Sequence, residues 1–291
     1  MRNEILVDNE LLFFETLGND CNPPILYIHG APGIGVLDFI YFQGENFESD
    51  FYVVAPEQRG VWRSDAVKEY SIEKIINGYE TIRKNLGIKK WNVLTHCFGA
   101  RIFIEYYRKF PEVFEKIVFE NPIITSIEPF ENIIPLQLKI LKNKNINEYN
   151  RLLPICNEIH TISDLECFSE QLSKAIEMDT NHLIMGEKTV KELKKLKKFY
   201  DYNNSLKSRE TEIMMSRAES LYSIEEDYLI KLPLLVLYSS KDISMNTKTL
   251  ENIEKRALTC EIIYFQNSKH WIHIDEAQKY YDTVINFFNK D

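Results

Sequence analysis

The sequence predicts an α/β protein: a mostly parallel central sheet flanked by helices, with a helical cap inserted after a core strand. Three observations lead there. Short apolar runs alternate with segments of helical periodicity through residues 1–122 and again through 230–291, the pattern of parallel strands covered on both faces. Between 123 and 229 the strand signals stop, and lysine- and glutamate-rich helical segments replace them. The expected division is therefore a core of 1–122 and 230–291 and a cap of 123–229. Finally, Thr95-His96-Cys97-Phe98-Gly99-Ala100 lies between an apolar run and a helical pattern, the strand–turn–helix setting of a nucleophile elbow.

Taken in order, residues 4–7 and 11–16 read as strands joined at Asp8-Asn9, two residues suited to a tight hairpin. Ile25-Leu26-Tyr27-Ile28 is a buried strand that starts after Pro23-Pro24 and ends at His29-Gly30. Residues 36–47 suit a short helix, and Phe51 to Ala55 a strand stopped by Pro56. Ser71 is placed as an N-cap for a helix carrying Ile72, Ile75, Ile76, Tyr79, Ile82 and Leu86, closed by Gly87. Trp91 to Thr95 is a strand, 98–109 a helix stopped by Pro111, and Phe114 to Phe119 a strand. Within the insertion, Val190, Leu193, Leu196, Phe199 and Tyr200 mark one face of a single helix whose other face is lysine-rich. Leu234 to Tyr238, a helix at 247–256, a strand at 261–265 and a helix at 275–289 complete the core.

Composition bounds the function. The chain has 291 residues, 44% of them hydrophobic, enough to bury a large core. Its formal charge of −9 argues against nucleic acid or an anionic membrane as partner. No window resembles a membrane span or a signal peptide. Five cysteines, Cys21, Cys97, Cys156, Cys167 and Cys260, include no C-x-x-C pair, so neither a disulfide framework nor a metal site is expected. The expected setting is cytoplasmic. The cysteines other than Cys97 read as small core hydrophobes. No cofactor is called for.

Three predicted strand ends carry the chemistry. Cys97 follows the strand at 91–95, Asp242 the strand at 234–238, and His270 the strand at 261–265; ligands in open α/β sheets gather at such ends. Attack on a carbonyl needs a deprotonated nucleophile. His270 can take the thiol proton, and Asp242 can fix the tautomer of His270 and stabilise its cation. An imidazolium and the N-terminus of the following helix both favour a thiolate. Glu120 is a competing acid and His273 a competing base, while His96 is expected to pack within the elbow. The strand-end loop His29-Gly30-Ala31-Pro32-Gly33 suits an oxyanion site, with N–H donors from Ala31 and Phe98.

These residues resemble the α/β-hydrolase family and, within it, the proline iminopeptidase-like group. Members of that group carry H-G-G-P-G, D-Q-R-G-x-G-x-S and G-G-S-x-G-G. The corresponding segments here are His29 to Gly33, Glu57-Gln58-Arg59-Gly60-Val61-Trp62-Arg63-Ser64, and the cysteine elbow. The resemblance implies an α/β-hydrolase fold over about 1–122 and 230–291, and a triad in the chain order nucleophile, acid, histidine. The departures bear on substrate. Ala31 replaces a loop glycine, Trp62 puts bulk beside the expected pocket, and Cys97 replaces serine. The insertion has no tryptophan, because the only three are Trp62, Trp91 and Trp271. The group's peptidases use Trp- and Glu-containing cap motifs to hold a substrate amine. Trp62 and Trp271 are the expected substrate-binding residues.

A cysteine elbow is also similar to that of dienelactone hydrolases and of some thioesterase domains. The leading expectation is an acyl hydrolase or acyltransferase. It would act on a small-molecule ester, thioester, lactone or amide through a covalent acyl-cysteine. A carrier protein or a second copy of the chain are the further partners this reading leaves open. An aminopeptidase of the proline iminopeptidase type and a non-hydrolytic small-molecule binding protein are the alternatives.

Overall fold

Asp8 and Asn9 both take positive φ, 53° and 65°, the conformation a two-residue type I′ hairpin turn demands. They join β1 (Arg2–Val7) to β2 (Glu10–Leu17), paired from Arg2↔Glu15 to Val7↔Glu10. The computed structural model describes residues 1–159, 161–178, 181–224 and 228–290. The core continues with β3 (Pro24–Ile28), α1 (Leu37–Phe47), β4 (Tyr52–Pro56), α2 (Ile72–Asn85), β5 (Trp91–His96), α3 (Gly99–Lys109) and β6 (Phe114–Glu120). The Ser71 side chain caps α2 by accepting from the Lys74 N–H, and Gly87 follows at φ 68°.

The insertion holds α4 (Glu128–Lys144), α5 (Ile146–Leu152), α6 (Ile162–Ile176), α7 (Asn181–Ile184), α8 (Glu187–Leu193) and α9 (Tyr202–Ser216). Then come β7 (Leu234–Ser239), α10 (Thr247–Lys255), β8 (Cys260–Phe265), α11 (Ile272–Asp275) and α12 (Ala277–Phe288).

The eight strands form one sheet in the order β1-β2-β4-β3-β5-β6-β7-β8. Pairing is antiparallel for β1·β2 and β2·β4 and parallel across the rest. The parallel strands alternate strictly between two cores, because successive side chains point to opposite faces. Leu26, Ile28, Val54, Val93, Ile117, Phe119 and Val236 pack with α2 and α3 on one side. Ile25, Tyr27, Val53, Leu94, Val118, Leu235 and Leu237 pack with α1 and α12 on the other. From β3 the chain steps outward to β4 and then returns to β5 on the opposite side. Such a reversal opens a crevice at the strands' carboxyl ends. Ile28 and Thr95 are partners across β3 and β5, so the loop at 29–33 and the elbow leave the sheet level with one another.

Two sequence expectations are corrected. The single helix over 190–200 is two elements: α8 ends at Leu193, and Lys194–Phe199 is a 3₁₀ helix. Leu193, Leu196 and Phe199 are spaced by three, the repeat that eclipses side chains in a 3₁₀ turn. Leu196 is thereby buried against Leu37, Val61 and Trp62. Of the remaining cysteines only two reach a core, at its margin: Cys260 packs against the α2–α3 cluster and Cys156 against that of the insertion. All five are free; Cys21 and Cys167 are exposed, while Cys156 and Cys260 are half-buried. Cys21 lies in a polar turn, Cys156 in the 3₁₀ segment Leu153–Glu158, Cys167 on α6 and Cys260 on the edge strand β8.

The insertion has a small core of its own, in which Ile134 and Leu141 of α4 meet Phe168, Leu172 and Ile176 of α6. It is fastened to the loops at the sheet's carboxyl edge. Thr211 Oγ1 donates to the Gly60 carbonyl (2.7 Å), the Trp62 N–H donates to Ser208 Oγ (2.9 Å), and the His270 N–H donates to the Ile184 carbonyl (3.2 Å). No helix among the described residues is long and apolar enough to cross a membrane.

Candidate active site

Cys97 sits at φ 55°, a left-handed conformation that costs a non-glycine residue on the order of 1 kcal/mol. The surroundings impose it. Its N–H donates to the Glu120 carbonyl (2.9 Å), and its carbonyl accepts from Ile123 (3.1 Å) and Ala100 (3.2 Å). A Cβ on Gly99 would lie 2.3 Å from the Ile28 carbonyl oxygen, and one on Gly30 would lie 2.8 Å from Cys97 Cβ. Two glycines therefore let β3, the elbow and α3 approach closely enough to present a half-buried Cys97. Thr95 stands where the motif has its first glycine. It is accommodated as an ordinary strand residue, buried and with no hydroxyl partner among the described residues.

Asp242 and His270 meet. The Asp242 Oδ2–His270 Nδ1 distance is 2.6 Å, and both side chains are buried. The Nδ1–H therefore faces the carboxylate, and Nε2 is the ring's other polar atom. Burial alone would lower the His270 pKa, but the negative charge of Asp242, then the neighbouring Cys97, and hydrogen bonds to both raise it well above 6.5. Burial alone would likewise raise Asp242. The His270 imidazolium and bonds from Ser244 outweigh that and hold the carboxyl below its ordinary value. Ser244 was not anticipated. Its Oγ donates to Asp242 Oδ1 (2.6 Å) and lies 3.0 Å from His270 Nδ1, while its N–H also donates to Oδ1 (2.9 Å). The D-x-S spacing of an Asx turn was the available signal.

The competing acid and base pair with each other instead. Glu120 Oε1 and Oε2 lie 2.9 and 3.0 Å from His273 Nδ1, and Oε1 also accepts the His273 N–H (2.9 Å). Burial opposes the His273 charge, yet Glu120 and Asp38 raise its pKa to about 10. Glu120 is held well below its usual range against burial, chiefly by His273 and His96. His96 packs as expected, its ring 4.7 Å from that of His270 and 5.2 Å from that of His273. Burial dominates there and lowers its pKa. His96, Glu120 and His273 also offer ligand atoms within 4.8 Å of one another, the one such group among the described residues. The two histidines already face both oxygens of Glu120.

This pair yields a stability prediction. Folded His273 holds its proton to about pH 10, whereas an unfolded histidine releases it near pH 6.5. Between those values the native state binds more protons, so its contribution is complete below about pH 6.5 and is lost as pH rises through about 10. Thermal melts of His273→Gln should show a shallower fall in Tm over that window than the parent; an equal slope would contradict the assignment.

The loop at 29–33 is held from behind. His29 Nε2 accepts the Gln58 N–H (3.0 Å), and Gln58 Nε2 donates to the carbonyls of Gly30 (2.7 Å) and His29 (3.1 Å). Burial lowers the His29 pKa to about 4, the neutral state that accepting from Gln58 requires. The Ala31 and Phe98 N–H groups have no protein acceptor among the described residues. The E-Q-R-G segment thus braces the loop, while its Arg59 ties down the β1–β2 hairpin through Asp8 (2.8 Å) and Glu10.

The tryptophans differ in placement. Trp62 is 3% exposed and packs with Leu37, Val61 and Leu196 where core meets insertion. Trp271 stays beside the histidines, its ring 5.8 Å from that of His96 and its Nε1 donating to Asp38 (3.2 Å). A separate groove of about 910 Å³ lies beyond α3, lined by Tyr70, Arg101, Tyr107 and Tyr228 among others, and its lining includes none of Cys97, Asp242 and His270.

Residues 23–277 match the family described as alpha/beta hydrolase fold. A putative proline iminopeptidase of Mycoplasma genitalium is 33% identical over 115 residues, covering 38% of this chain and 36% of that protein. The chain thus spans about a third of that relative's length. Epoxide hydrolase 1 of Caenorhabditis elegans is 22% identical over 298 residues, 96% of this chain and 68% of the relative. Among solved structures, a proline iminopeptidase-related protein from Thermus thermophilus superimposes with a TM-score of 0.74. The two share 16% identity, over 99% of this chain and 96% of that one.

Proposed function

The chain belongs to the alpha/beta hydrolase fold family, and from that premise we propose that it is an acyl hydrolase or acyltransferase working through Cys97, His270 and Asp242. The observation that carries the reading is a strained, half-buried cysteine facing an imidazole that is hydrogen-bonded to a buried carboxylate. The Cys97 thiolate attacks the carbonyl carbon of an ester, thioester, lactone or amide. The oxygen that gains the electron pair lies between the N–H groups of Ala31 and Phe98. Collapse breaks the bond to the leaving group, which takes its proton from His270 Nε2. Water, or an amine or alcohol, then gives that proton back to His270 as it attacks the thioester, and Cys97 departs as thiolate. The helical insertion over about 123–229 acts as the cap, and Trp271 borders the acyl site.

The choice among relatives follows from sulfur chemistry. An epoxide opened by Cys97 would leave a thioether. That product has no carbonyl for water to attack, so the enzyme would stop after one event. A thioester remains open to water and is especially reactive toward amines. Aminopeptidase activity is the second reading, favoured by the match to a putative proline iminopeptidase. Steady-state turnover on a panel of acyl thioesters, lactones, aryl esters and prolyl naphthylamides separates them. Turnover of one of the first three is expected. Turnover confined to substrates with a free amine would favour the peptidase, and none across the panel would sink the acyl-transfer reading.

A further inference from the structure

Glu120 and Asn121, at the end of β6, reach Cys97, the backbone of His270 and the strand that leads to Asp242, although neither belongs to the candidate triad. The Glu120 carbonyl accepts the Cys97 N–H (2.9 Å), which helps hold the elbow. Its carboxylate takes both the N–H and the Nδ1 of His273, three residues beyond His270. Asn121 Nδ2 donates to the carbonyls of Lys269 and His270, both at 3.0 Å. Asn121 Oδ1 accepts the N–H of Ser239 (2.8 Å), at the end of the strand that leads to Asp242. The Asn121 N–H donates to the Leu237 carbonyl on that same strand (2.9 Å). Both residues are fully buried. Asn121 adopts φ 39°, a left-handed conformation that asparagine tolerates better than most residues. Its carboxamide has both donors and one of its two acceptor sites in use.

We propose that Asn121, supported by Glu120, is a positioning residue that sets where His270 stands relative to Cys97. That role rests on the reading of Cys97 and His270 as a working pair. β6 lies between the nucleophile's strand and the acid's strand, so a clamp at its end fixes three loops with one dipeptide. A displacement of the His270 loop of about 1 Å is enough to cost roughly 10²-fold in rate at a catalytic site. No other described side chain donates to the His270 carbonyl.

Two substitutions separate positioning from bulk stability. Asn121→Asp keeps the shape and the acceptor for Ser239 but loses both donors. Asn121→Gly suits the positive φ and removes the carboxamide altogether, so it remains informative if the aspartate variant does not fold. The readout is the ratio of iodoacetamide alkylation rates of Cys97 at about pH 6 and about pH 9.5, either side of the ordinary thiol range. Peptide mass spectrometry follows it, with exposed Cys167 as internal reference. The low-pH rate reports the imidazolium beside the sulfur, whereas the high-pH rate reports access alone. We expect the ratio to fall about tenfold, the equivalent of one pH unit in the pair's ionisation, in whichever variant folds. A lower Tm with an unchanged ratio in the folded variants would overturn the proposal. A parent ratio no higher than that of Cys167 would instead overturn the Cys97–His270 pair itself, and the positioning role with it.

Discussion

Cys97→Ala is expected to reduce turnover by roughly 10⁴-fold or more on any acyl substrate the parent enzyme accepts, with little change in Tm. The loss is large because the elbow presents one nucleophilic atom. Gly30 and Gly99 exist at their positions to bring the surrounding backbone against it, and no second nucleophile is held at that turn. Stability is spared because alanine and cysteine are strained alike at φ 55°, and a half-buried thiol leaves only a small void. His270→Ala should cost a similar factor. The two losses should not add, since the residues act as one unit. The check is kcat measured on both single variants and on the double variant. A double variant much worse than either single would show that they work separately.

Asp242→Asn is expected to lower kcat by about 10³- to 10⁴-fold, more than Glu120→Gln. An asparagine amide facing His270 Nδ1 favours the tautomer with its proton on Nε2. That proton would then point at the nucleophile when it ought to be accepted from it. Ser244 Oγ lies 3.0 Å from His270 Nδ1, but a neutral hydroxyl brings no negative charge to stabilise the imidazolium. Glu120 cannot take over either. Its oxygens already engage His273, through both the ring Nδ1 and the backbone N–H. Parallel kcat and KM measurements on the two variants give the comparison. If Glu120→Gln proved the more damaging, the acid would have to be reassigned.

The fold was legible because its signals are local and periodic. Alternating apolar residues in 25–28, 53–55, 93–94, 117–119 and 234–237 sort onto two opposite cores. The Asp8-Asn9 turn, the Ser71 cap and the elbow are likewise set by a few neighbouring residues. The pairing of Asp242 with His270 follows from strand order and strand ends. Other features were hidden because they depend on contacts between distant segments. Nothing local to Glu120 says that its partner is His273, 153 positions away in the chain. Asn121 gives no sign of reaching the His270 carbonyl, nor Gln58 of spanning the carbonyls of His29 and Gly30. Asp38 reads as an ordinary first-turn acid of α1, yet it meets Trp271 and His273. The break after Leu193 could have been read from three-residue spacing alone. Trp62 could not have been placed, since whether it faces a substrate or the insertion depends on how Leu196 docks.

Sulfur acting as the covalent nucleophile is the central claim. Intact-protein and peptide mass spectrometry, after rapid mixing with an acyl thioester or activated aryl ester and acid quenching, tests that directly. The predicted result is one acyl group on Cys97, absent from Cys97→Ala and decaying on addition of a nucleophilic amine. Turnover with no mass increase on Cys97, or with the acyl group on another residue, would contradict it.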